Sequence, residues 1–98
     1  MTLKDDLIAA RALIQNPDDW KHGYDLRDGS MCALRAIEAI TGKTAYHEIP
    51  AYAALCRALP KGWVKKYGRE SVGVYNDQSA HSDVLALFDR AINACEAA

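Results

Sequence analysis

The chain has no apolar run approaching the roughly 20 residues that carry a helix across a bilayer. Asp5 and Asp6 break up the apolar positions near its start. Neither a membrane span nor a secretory leader is expected, and the expected compartment is the cytoplasm, bacterial or host. Charge of one sign is also missing. Lys and Arg number 12 against 13 Asp and Glu, a net charge of −1. A binder of long nucleic acid needs a broad positive field, so that class is not expected, and low net charge removes one barrier to self-association. Paired cysteines are lacking too. Cys32, Cys56 and Cys95 are odd in number and none forms a CxxC spacing. That pattern excludes a disulfide framework and a zinc knuckle and fits reduced thiols. No two of His22, His47, Cys32, Cys56 and His81 share an i, i+3 or i+4 relation, so no metal site is expected. No cofactor motif, repeat, low-complexity tract or linker interrupts the 98 residues, which make one domain, 1–98.

What is present is helical periodicity. Residues 2–15 place Leu3, Leu7, Ala10 and Ile14 on one stripe, widened by Ile8 and Leu13. Thr2 and Asp5 form a capping-box pair, and Pro17 stops the helix. Residues 20–30 read as a connector, with Asp28-Gly29 as a turn and room for a small hairpin in "GYDLRDG". Residues 31–41 read as a second, central helix, with Ser30 as N-cap and Gly42 as C-cap. Pro50 opens a third helix over 50–59, with Tyr52, Leu55, Cys56 and Leu59 on its apolar face. Residues 61–70 read as a loop or frayed turn. Residues 71–77, "SVGVYND", fit a short strand or a single helical turn. A last helix over about 80–96 buries Val84, Leu87, Phe88, Ala91, Ile92 and Cys95. The expected fold is all-α, a compact bundle of about four helices with at most a minor β-hairpin or short strand.

Trp20, Gly23, the Asp28-Gly29 turn, "CALRA" at 32–36, "YND" at 75–77 and "HSDVLALFDRAI" at 81–92 together resemble a family of small uncharacterised bacterial and phage proteins. That family shows a "CALGA" helix and a "WND…TH…VLAL.DRAI" ending. This chain departs from it at Arg35, Tyr75 and Ser79-Ala80. The family is a domain of unknown function. The resemblance directs interest to Trp20, Cys32, Asn76, Asp77 and His81 and implies no activity.

Cys32, His81 and Asp77 or Asn76 are the ingredients of a cysteine nucleophile with a base and an orienting group. With Ser30 as cap, Cys32 falls at the second helical position, where dipole and free amides favour a thiolate. The simpler reading is structural. Cysteine often fills space beside alanine, Asn-Asp forms turns, and a His or Ser before "DVLAL" starts a helix. In that reading Ser79, His81 or Ser82 caps the last helix, and an Asn76 or Asp77 network sets its angle.

The segment "KGWVKKYGR" concentrates Lys61, Lys65, Lys66 and Arg69 around Trp63 and Tyr67. Cations beside aromatics suit a nucleotide, a phosphorylated signal or an acidic partner; the plainer reading is a solvated loop with its aromatics in the core. The functional expectation is a small helical binding protein, encoded by a phage or accessory gene, acting on a host protein and able to self-associate. Its alternatives are a small phosphorylated-ligand binder using 61–69 and a Cys32–His81 enzyme.

Overall fold

Thr2 starts the first helix as its sequence spacing predicts. Its Oγ1 accepts from the Asp5 amide at 3.1 Å, and the Asp5 carboxylate accepts from the Thr2 amide at 3.3 Å. In the computed structural model, which describes residues 2–22, 30–43 and 48–97, α1 spans Leu3–Ile14. It is followed by α2 (Ala33–Thr41), α3 (Pro50–Ala58), α4 (Trp63–Tyr67), α5 (Ser71–Gln78) and α6 (His81–Ala97). Short 3-10 turns occupy Pro17–Asp19 and Gly68–Glu70. The fold is all-α. The hairpin and turn read into residues 23–29 fall outside the described residues, as does His47. Among the described residues the one extended pairing is an isolated parallel bridge between Trp20 and Met31.

Helices α1, α2, α3 and α6 are the long pieces of the expected bundle, with α1 packed on α2 and α6, and α3 on α6. Leu7, Ala10 and Ile14 from α1, Ala36 and Ile37 from α2, Leu55 from α3, and Val84, Leu87 and Phe88 from α6 are all fully buried together. Full burial of one such aliphatic or aromatic side chain contributes about 1.5–3 kcal/mol. Ile8 departs from the stripe read for α1: it is 45% exposed. Glu38, one of the two charged residues of α2, is buried.

Three further differences concern local structure. Residues 63–67 are helical, because Gly62 adopts φ +84 and Gly68 φ +61, and the two left-handed residues bracket one short turn. Residues 71–78 are a full helix and not a strand, although Val72, Val74 and Tyr75 favour β structure. Tertiary contacts decide it. Val72 is fully buried, and a Cβ built on Gly73 would meet Leu34 Cδ1 at 3.2 Å, so glycine lets α5 lie close on α2. Helix α2 begins two residues later than expected: its N-cap is Cys32, not Ser30. Its end is as read, with Gly42 at φ +71 and the Gly42 amide on the Glu38 carbonyl at 2.8 Å.

Candidate functional site

The site is built on the side chain of Asn76, which lies in α5 and has no solvent exposure. Its Oδ1 accepts from Trp20 Nε1 at 2.7 Å and from the Ala33 amide at 3.0 Å. Its Nδ2 donates to the Lys21 carbonyl at 3.0 Å, and to Asp77 Oδ1 at 3.3 Å. The orientation of the amide follows from its partners, since an indole N–H and a backbone N–H only donate and a carbonyl only accepts. One side chain thus joins the extended segment at Trp20–Lys21, the start of α2, and α5. The segment is also held from the other side: the Met31 amide donates to the Asp19 carbonyl at 2.8 Å, and the Lys21 amide to the Met31 carbonyl at 3.2 Å.

Asn76 is a helix cap delivered from a distance. The first amides of α2 have no partner within the helix. Asn76 satisfies that of Ala33, and Cys32 Sγ accepts from the Arg35 amide at 3.4 Å. Asn-Asp at 76–77 therefore does not form a turn; Asn76 sits inside α5 and caps another helix.

Cys32 is only 3% exposed. Burial pushes its thiol above the ordinary value; the amides of Arg35 and Leu34 pull it down, and the Asp77 carboxylate adds to the rise. The net direction is up. The dipole argument that placed a thiolate at this helix start is thus outweighed by loss of water and by a neighbouring negative charge. Asp77 itself is exposed.

His81 opens α6, and its Nε2 lies 2.6 Å from the Ile14 carbonyl. Nε2 must carry the proton, because the carbonyl can only accept. The ring therefore ties the start of α6 to the end of α1. His22 Nε2 makes the equivalent bond to the Ser79 carbonyl at 2.9 Å. Both rings pack on the indole of Trp20, with centroids at 4.8 Å for His22 and 5.3 Å for His81. The first carbonyl of α6 is that of Ala80, and Asp83 returns its carboxylate to the Ala80 amide at 3.4 Å. Asp83 takes the capping task assigned to Ser79, His81 or Ser82.

The structure thus gathers Trp20, Cys32, Asn76, Asp77 and His81 around the joint between α1, α2, α5 and α6. It links Asn76 to Trp20 and to the start of α2 by hydrogen bonds, and it turns His81 toward Ile14. Sequence reasoning missed Lys21 and His22 here. Their parts are played by a backbone carbonyl and by a ring on a distant carbonyl, neither of which leaves a local pattern. Among the described residues no group of three His, Cys, Asp or Glu is arranged to hold a metal ion.

The basic segment is a separate feature. Trp63 Nε1 donates to the Ser71 carbonyl at 2.9 Å, and its ring meets Tyr67 at 4.9 Å and Tyr75 at 5.3 Å between centroids. Tyr52 hydroxyl donates to the Arg69 carbonyl, and Ser71 hydroxyl to the Gly68 carbonyl. Lys61, Lys65, Lys66 and Arg69 are exposed, and Lys66 Nζ stands 5.2 Å from the centre of the Tyr67 ring. Val64, between them, is 41% exposed.

Among the described residues no helix is long and apolar enough to cross a membrane. The profile of a family of unknown function, DUF6197, matches residues 1–94, and the chain belongs to that family. No curated protein and no solved structure gives a significant match.

Proposed function

We propose that the protein is a small binding domain that engages an acidic protein surface through its exposed α4 segment. One observation carries this reading. Four cations and Val64 stay exposed on a segment whose indole is hydrogen-bonded to the Ser71 carbonyl. Two left-handed glycines and the Tyr52–Arg69 bond hold the segment in one shape. A preorganised cationic rim around an apolar residue lowers the ordering cost of association and steers an acidic partner. The partner is a protein of the same cell or of a host cell.

A small phosphorylated ligand is the second reading, supported by Lys66 over the Tyr67 ring. It is the weaker one, because Trp63 already packs on Tyr67 and Tyr75 and its indole N–H is committed to the Ser71 carbonyl. The nucleophile reading gains nothing from this geometry: the Cys32 thiol is buried and pushed up, and His81 Nε2 is spent on the Ile14 carbonyl.

The test is a photo-crosslinking residue at position 64, compared in cells with and without Lys65→Glu and Lys66→Glu. A crosslinked protein that is lost on charge reversal, with folding unchanged, is the expected result. A crosslinking pattern indifferent to charge reversal refutes the proposal. A thermal-shift panel of nucleotides accompanies it, and a specific shift reversed by the same substitutions moves the segment to the ligand reading. Sedimentation of the purified protein checks self-association independently.

A further inference from the structure

A groove of about 550 Å3 runs between α3 and α6 and shares no lining residue with the Asn76 joint or with α4. Its volume lies in the range of about 300–1,000 Å3 typical of small-molecule sites. Ala54 and Ala58 from α3, four apart, face Ala91 and Ala94 from α6, three apart. These short side chains leave depth where longer ones would close the helix pair. Leu3 and Cys95 extend the apolar lining.

Arg57 and Arg90 supply the charge, and no acidic side chain lines the groove among the described residues. Arg90 Nε donates to the Ala58 carbonyl at 3.2 Å, which fixes its stem across the two helices. A guanidinium carries five N–H donors, and this bond uses one. The groove lies along the C-terminal turns of α3 and α6, where helix carbonyls present partial negative charge. That background opposes a doubly charged phosphate and leaves the two arginines matched to a single negative charge. Guanidinium and carboxylate pair in a planar fork.

We infer that this groove binds a single-chain amphiphile with one anionic head, a medium-chain carboxylate. Its head pairs with Arg57 and Arg90, and its tail covers the alanine floor toward Leu3 and Cys95. The site does not depend on the α4 reading, and either can fail while the other stands.

The experiment is calorimetric titration of the full chain with decanoate below its micelle concentration, beside decanol, decyltrimethylammonium and decyl phosphate. Decanoate is expected to bind one to one and about tenfold or more tighter than the neutral and cationic chains, the effect of a charge-assisted pair. Arg57→Gln with Arg90→Gln is expected to remove that preference. Both arginines are exposed, so the variant keeps its fold, checked by circular dichroism. Ala94→Trp, also at an exposed position, is expected to block the tail whatever the head. Equal binding of the cationic chain, tighter binding of decyl phosphate, no saturation by decanoate, or undiminished binding by the tryptophan variant would each overturn the assignment.

Discussion

Replacing Asn76 by alanine removes hydrogen bonds to three backbone or indole groups at once. Trp20 Nε1 and the Ala33 amide lose their acceptor, and the Lys21 carbonyl loses a donor. A buried polar group without a partner costs about 1–3 kcal/mol. The two N–H donors sum to about 2–6 kcal/mol, the lost bond to the Lys21 carbonyl adds less, and half-buried Trp20 admits some water. The expected loss is therefore about 3–5 kcal/mol, a large share of the roughly 5–15 kcal/mol that stabilises a domain. For a chain of this size it lowers the melting temperature by roughly 15–30 °C. Urea unfolding followed by far-ultraviolet circular dichroism measures it. Asn76→Asp is the sharper companion. It retains an acceptor for Trp20 and Ala33 but sets a second carboxylate oxygen against the Lys21 carbonyl and beside Asp77. Burial there raises the folded pKa of the new carboxyl above its unfolded value. The variant is then most stable below the unfolded value and loses stability as pH rises through the folded one. An alanine variant that loses less than about 1 kcal/mol, or an aspartate variant with no recovery in acid, would refute the account of Asn76 as a cap.

Other consequences are equally direct. The Cys32 thiol is raised above its ordinary value of 9.0, so the stability it contributes is intact below that value and is lost as pH climbs through the folded pKa. Urea melts between neutral and strongly alkaline pH, compared with Cys32→Ala, measure this, and iodoacetamide is expected to label Cys32 far more slowly in the folded protein than after unfolding. Gly42→Ala costs about 1–2 kcal/mol. No described residue lies within 4 Å of the added methyl, so the loss is one of left-handed backbone, and Gly42→Asn should recover part of it. The Asp5 carboxyl is held below its ordinary value by the Thr2 amide and hydroxyl, so the capping box contributes above the unfolded pKa and fades as pH falls through the folded one. In Thr2→Ala, a carboxyl titration by NMR should show that pKa move up.

The helices were legible where one local rule decided them. Thr2 with Asp5, Pro17, Gly42 and Pro50 each act over three or four residues, and on the apolar face of α6 Val84, Leu87, Phe88 and Ala91 are buried while Ile92 and Cys95 are only partly so. α5 was not legible because its residues oppose helix locally and are held there by Val72 burial, the Gly73–Leu34 approach and Asn76. The start of α2 was misplaced for the same reason. Ser30 is the better cap by residue type, but a capping oxygen from position 76 makes Cys32 the junction. At the site, the family resemblance points to Trp20, Cys32, Asn76 and His81 without saying that they meet. Their wiring was not legible, because His81 answers to a carbonyl at position 14 and Asn76 to an amide at position 33.

Trp20, Lys21 and Ala33, three of the partners of Asn76, lie 43 to 56 positions away along the chain. Such a bond forms only after a long loop has closed, so it contributes little to early helix formation. The order of folding follows from this. α1, α3 and α6 carry their own start signals or long apolar faces, whereas the first turn of α2 stays frayed until α5 docks. Substitutions at Asn76 should therefore accelerate unfolding far more than they slow folding, with a φ-value near zero. The joint that holds the molecule together would be the last part of it to assemble.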